Sequence, residues 1–174
     1  MTAKPGQYLT FELCGHMYAI SIDKIASILN EWGSIAPVPE FPDYGRGAIN
    51  HWGYVIPVID PRLRMNIPGA QTAQTNCLII VNTGDNAENG AENGKGGEND
   101  DGAGMLGLMA DNISTIMNFE ESGLCEPPRL TAHTSGYIIG VYKAPSAIIM
   151  ILEPKLLLTE DMSRAMEEFR ESHS

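Results

Sequence analysis

"GRGAINHWGYVIPVIDPRLRM", Gly45 to Met65, places two short apolar runs around His51-Trp52-Gly53 and ends in a tight cluster of charge. Gly47–Asn50 and Tyr54–Asp60 read as strands, and the Trp-Gly pair between them reads as a hairpin turn. Pro57 stands inside the second run. It cannot donate to a ladder, so it predicts an edge or bulge position. The tip poses a choice. Trp52 either folds back onto the core or stands out as an aromatic anchor of the kind enriched at binding hot spots.

Working outward, most of the chain alternates with the period of a strand. Leu9, Phe11 and Leu13 fall on one face of Tyr8–Leu13, Cys14-Gly15-His16 turns the chain, and Met17–Ile20 returns. Ile25–Leu29 suits an extended run entered by a helical turn, although Asp23–Asn30 also fits a short helix. Pro37, Pro39 and Pro42 punctuate a loop. Asn76–Asn82 and Met105–Ala110 predict a strand pair, followed by strands at Ile113–Met117, Gly136–Tyr142 and Ala147–Leu152. Pro154 suits a first helical turn, and Thr159 before Glu160 and Asp161 suits an N-cap. Many short strands with little helix predict an all-β fold of small barrels or a sandwich.

Residues 84–104 break the composition, with seven of the chain's 18 glycines and six acids against one lysine. This stretch carries net −5 of the chain's −11 and repeats Ala-Glu-Asn-Gly at Ala87 and Ala91. It cannot bury apolar surface, so a disordered, solvated loop insertion is expected.

A chain of 174 residues with 43% hydrophobic and 19% charged residues suits one domain or two small ones with a buried core. The net charge of −11 disfavours nucleic acid and anionic membrane surfaces. Three separated cysteines, Cys14, Cys77 and Cys125, argue against a disulfide framework or zinc site and for a reducing compartment. No run approaches the ~18 apolar residues of a membrane span. A cytoplasmic protein without membrane insertion is expected.

Candidate chemistry is sparse. Gly102–Gly107 matches G-x-G-x-x-G, but acid precedes it and a strand follows, which is the wrong context for a pyrophosphate. From Asp85, the third and twelfth positions of a calcium loop fall on Ala87 and Gly96, which lack the ligand oxygens. His16, His51, His133 and His173 show no metal-ligand spacing. An enzyme would need His51 and Asp60 to meet as acid–base partners in one pocket. Asp60, Arg62 and Arg64 form the tightest charge cluster, and a structural ion pair explains it better than catalysis. No cofactor is indicated.

The order of elements then becomes familiar. Tyr8–Leu13, Tyr18–Ile25, Pro42–Asn50 with Gly53, and Val55–Leu63 together resemble CheW, the bacterial chemotaxis coupling family. Gly47, Asn50, Gly53, Pro57 and Asp60 carry the likeness in their order and spacing. Gly107–Ile113, Tyr137–Gly140 and Ile149–Leu157 are similar to the family's second half.

The resemblance implies two small five-stranded SH3-like β-barrels sharing a core, with a short C-terminal helix. The sub-barrels would span approximately residues 8–60 plus C-terminal strand and helix elements, and residues 76–152, within one domain over 1–174. It implies a non-enzymatic adaptor coupling methyl-accepting chemoreceptor tips to the regulatory domain of a sensor histidine kinase. The alternative is a modulator, in pilus motility or another chemosensory pathway, that competes for kinase or receptor. By match to the family, the partner-binding surface would use Ile22, Ile25, Ser27, Ile28 and Arg46 near Trp52, with Asn50 and Arg62. Two departures point to a divergent system. The family's Asn-Leu-Arg-Gly tip is here Asn50-His51-Trp52-Gly53, and Ser27 and Leu29 replace an acid and a base.

Overall fold

Strand β1 (Gly6–Leu13) opens the chain because its alternation has apolar partners on both faces. Leu9, Phe11 and Leu13 enter one buried cluster and Tyr8 enters another. The computed structural model describes residues 2–84, 104–127 and 136–172. The predicted acidic loop from 85 to 103, with its repeat, lies outside the described residues, as do His133 and His173.

The described strands continue as β2 (His16–Ser21), β3 (Ile25–Leu29), β4 (Gly45–His51), β5 (Tyr54–Ile59) and β6 (Cys77–Asn82). They are followed by β7 (Met105–Ala110), β8 (Asn112–Phe119), β9 (Leu124–Cys125), β10 (Ile138–Lys143) and β11 (Ile148–Leu152). A one-turn helix, α1 (Pro61–Arg64), follows β5, and α2 (Glu160–Ser172) is the last described element. A 3-10 turn at Ile22–Lys24 leads into β3, so the extended reading of this segment holds. As the sequence suggests, Pro154 opens a 3-10 turn and the Thr159 hydroxyl accepts from the Met162 N–H at 3.3 Å, capping α2.

Two sheets form, in the orders β8-β1-β2-β11-β10-β9 and β3-β6-β7-β5-β4. The sheets divide the strands differently from the expected sub-barrels of residues 8–60 plus C-terminal strand and helix elements and of residues 76–152. The five-stranded sheet is cut from the middle of the chain, and the six-stranded sheet joins the first two strands to the last four. Its free β2 edge takes β11 in parallel, with Tyr18 opposite Met150. Periodicity shows which residues face inward but not which strand will be the neighbour.

Each sheet curls around its own apolar cluster. Leu29 of β3 and Tyr54 of β5, from opposite sides of the five-stranded sheet, pack on one cluster with Ile56, Leu78 and Ile80. Phe119 of β8 stacks on Tyr142 of β10 with ring centroids 3.9 Å apart, drawing the edges of the other sheet together. A larger core lies between, where Phe11 and Ile20 of one sheet meet Ile79 and Leu108 of the other. Strands buried on both faces, such as β6, read as unbroken apolar runs for this reason.

Pro57 is not at a sheet edge, contrary to expectation, because β5 lies between β7 and β4. Ala48, opposite Pro57, exchanges both backbone hydrogen bonds with Ala36 at 2.8 Å, so it asks nothing of the proline. On the other side, pairing with β7 begins one residue later, at Val58. The bulge of this hairpin lies instead at Gly45/Gly47. A Cβ on Gly47 would sit 2.2 Å from the Ala36 carbonyl oxygen, so only glycine lets that chain close on β4.

Arg62 is 1% exposed, and each of its five guanidinium N–H groups has an acceptor. Nε and Nη2 form a fork to Asp60 at 2.8 and 3.1 Å. Nη1 donates to Asp111 at 2.8 Å and the Gln74 carbonyl at 2.9 Å, and Nη2 also donates to Thr75 Oγ1 at 2.6 Å. Asp60 accepts from the Arg62 backbone N–H as the α1 cap, and Asp111 accepts from the Cys14 N–H at 3.1 Å. Although burial opposes its charge, hydrogen bonds to Asp60 and Asp111 hold the Arg62 pKa above its ordinary value.

Arg62→Met should cost about 3–5 kcal/mol in urea unfolding, because two carboxylates lose their counter-charge, and Arg62→Lys should recover little, since ammonium lacks the fork. At the base of the β6–β7 pair, the Thr83 N–H donates to the Gly104 carbonyl at 2.6 Å, and Gly104 is left-handed at φ 85°. Removing residues 85–103 leaves the three-residue loop Thr83-Gly84-Gly104 with its last residue already in that conformation. Denaturation should show stability unchanged or raised by about 1 kcal/mol, through the smaller closure entropy. Burial pushes the Tyr18 phenol up to about 12. The stability this contributes should be complete below pH ~10 and lost as pH rises through ~12, which alkaline unfolding read by circular dichroism will check.

Candidate protein–protein interface

Strand β3 is an edge of the five-stranded sheet and carries no charged residue, although edges are commonly protected by charge or proline. Its register shifts between Ile25 and Ser27. Before the shift, Ile25 packs against the joint core, as Ile22 does in the preceding turn. After it, Leu29 turns into the cluster of its own sheet, leaving Ile28 39% exposed and Ser27 half-buried. Of the apolar residues expected here, Ile28 therefore presents the open face, while Ile22 and Ile25 largely support the core.

At the β4–β5 hairpin the chain reverses through Trp52 (φ 55°) and Gly53 (φ 84°), the signature of a type I′ turn. The Asn50 side chain accepts from the Gly53 N–H at 3.1 Å and fixes the bend. Trp52 is 87% exposed, so the alternative of an indole folded onto the core is excluded. Its ring meets His51 edge-on, with centroids 6.1 Å apart.

These residues do not form one groove. Ile28 is level with Ile79, Leu108 and then Ile59 across the ladders. Trp52 lies beyond the far end of β5, seven residues from Ile59. At ~3.3 Å per residue, about 20 Å of strand separates the two levels. Arg46 is exposed on β4, near the level of Ile28 but on the other edge strand. Arg62, expected at the partner surface, is instead enclosed by Asp60 and Asp111 and cannot touch a partner. Sequence reading also passed over Ile116 and Ile148, which are exposed in the six-stranded sheet. Their strands were legible, but the outward turn of these two side chains was not.

The arrangement offers little for bond chemistry. His51 and Asp60 stand at opposite ends of β5, and Asp60 is committed to Arg62. Burial first, and the nearby Asp111 charge second, push the Cys14 thiol up, and burial does the same to Cys77. Both are thereby poorer nucleophiles. Among the described residues, no three His, Cys, Asp or Glu side chains gather as a metal set, and no helix is long and apolar enough to cross a membrane.

Comparison with known proteins gives the same outline. The chain is 25% identical over 158 residues to the chemotaxis protein CheW of Bacillus subtilis, covering 90% of this chain and 89% of that one. It is 18% identical over 168 residues to the chemotaxis protein CheW of Klebsiella aerogenes, covering 96% and 90%. The crystal structure of the scaffolding protein TtCheW from Thermoanaerobacter tengcongensis shares the fold at a TM-score of 0.72 and 23% identity, covering 91% of this chain and 96% of that one. The paired curled sheets around a joint core are thus the two SH3-like barrels of that fold. The model of the CheW-like domain matches residues 7–162, from β1 into α2, and by that match the chain belongs to the CheW-like domain family.

Proposed function

We propose that this protein is a non-catalytic adaptor of a chemosensory array, joining the cytoplasmic tip of a chemoreceptor to the regulatory domain of a sensor histidine kinase. Family membership over nearly the whole chain supports the class. So do the relatives named as chemotaxis proteins and the fold shared with a scaffolding protein. The observation that carries the reading is the uncharged edge strand β3 with Ile28 facing outward. Such an edge offers backbone hydrogen-bonding groups and apolar area together, which suits docking of another protein segment. An adaptor must expose surface of this kind, whereas an enzyme must converge reactive groups, and His51 and Asp60 diverge.

The test is reconstitution with the kinase and receptor encoded beside it. Adding the protein should raise receptor-controlled kinase activity. A fall in that activity would instead identify a competing modulator, and binding to neither partner would reject the adaptor. Ile28→Glu should weaken binding to one partner by about tenfold, or ~1.4 kcal/mol, in isothermal titration. Its melting temperature should stay close to that of the parent, because Ile28 lies outside the buried core.

A further inference from the structure

We propose that strand β8 is a self-association edge, on which the β8 of a second copy of this chain adds antiparallel about a two-fold axis. The face is distinct from β3, and the inference does not depend on the adaptor reading.

The first argument is the bare edge. Strand β8 pairs with β1 on one side and, among the described residues, with no strand on the other. It runs for eight residues, Asn112–Phe119, and holds neither a charge nor a proline, the devices that ordinarily keep such an edge from pairing. Asn112, Ser114, Thr115 and Asn118 are exposed, and Ile116 among them is 54% exposed. The register shifts opposite Leu9 and Phe11. There the buried Thr10 hydroxyl donates to the Thr115 carbonyl at 2.7 Å and accepts from the Thr115 N–H at 3.1 Å. The irregularity is thus tied down on the β1 side, and β8 stays extended along its whole length.

The second argument is charge. A two-fold axis sets each strand against itself, so a charged edge strand brings like charges together. The chain carries −11, and two copies repel wherever that charge is displayed. The side chains of β8 display none of it. Asp111, just before the strand, is matched by Arg62 at 2.8 Å.

The third argument is register, and it singles out a second copy as the occupant. Ile113 stands opposite Phe11 and Ile116 opposite Leu9. Phe11 and Leu9 enter one cluster, so the shift turns both isoleucines to one face. In an unshifted strand, residues three apart face opposite sides and could not meet across a two-fold axis. With the axis between Ser114 and Thr115, Ile116 of each strand lies opposite Ile113 of the other, and Ser114 lies opposite Thr115. Asn112 then meets Met117, and Asp111 meets Asn118 rather than another acid. The contact is about 27 Å of strand at ~3.4 Å per residue, which suits a weak, transient interface. Pairing there leaves the β3 edge of each copy free on the other sheet.

Sedimentation equilibrium of the purified full chain tests this. A monomer–dimer equilibrium with a midpoint of about 10–100 μM is expected, tightening as added salt screens the charge of the two copies. Ile116→Glu places a carboxylate on each side of the axis and should weaken association about tenfold or more. Its melting temperature should hold, because Ile116 is exposed. Ser114→Glu, also at an exposed position, should do the same, and Ile28→Glu should leave the dimer as it is. A photoreactive phenylalanine analogue at position 116 should crosslink to residues 112–117 of a second copy, mapped by mass spectrometry on mixed light and heavy chains. A chain still monomeric at about 1 mM, a dimer that dissociates as salt rises, crosslinks to another face, or Ile116→Glu dimerising like the parent would overturn the proposal. So would capture of a different protein from position 116 in the native cell by a chain that is monomeric when pure, which would make β8 a docking strand for that protein.

Discussion

A buried guanidinium holds this molecule in register. Moving an isolated ion into a protein interior costs several kcal/mol even after relaxation, so Arg62 can stay inside only if everything around it is arranged to receive it. Its acceptors come from the end of β5, the segment before β6 and Asp111 between β7 and β8, and Asp111 in turn holds the β1–β2 turn through Cys14. The fork to Asp60 is planar and directional, which an ammonium cannot imitate. Four segments distant in sequence are thereby brought to one point, where the chain passes from one barrel to the other. A second ion pair, Lys24 to the buried Glu153, does similar work where β2 leads toward β3.

What could be read from the sequence follows from the range of the forces involved. The β1–β2 and β4–β5 hairpins, the β6–β7 pair and the capped C-terminal helix rest on period-two alternation, turn chemistry and capping, all set within a few residues. Sheet membership rests on long-range pairing. Nothing near Tyr18 announces Met150 as its neighbour, so which strands close which barrel is not set locally. Pro57 misled because its tolerance depends on Ala36 drawing the hydrogen bonds of Ala48 away. The structural ion pair expected of Asp60 and Arg62 is present, but the burial of Arg62 depends on Asp111, 49 residues away, so the family resemblance alone set it on the partner surface. The Asp60-Pro61-Arg62 spacing did contain a helix cap, the local half of the network.

The candidate surface was legible in kind but not in layout. An apolar β3 and an aromatic hairpin tip could both be named in advance, and both carry exposed apolar side chains. Their separation needed the ladder registers, which run from Ile28 through Ile79 and Leu108 to Ile59 before the hairpin extends beyond. A molecule with exposed apolar side chains on two distant faces is suited to bridging, since one partner need not displace the other.

The way the chain threads between the barrels has a mechanical result. It leaves the six-stranded barrel through the three residues Ile22–Lys24 and re-enters it through Asp111 alone. With no slack at either crossing, neither half can peel off while the other persists. The short crossings and the joint core between them set the two barrels as one stiff unit rather than as two beads on a string.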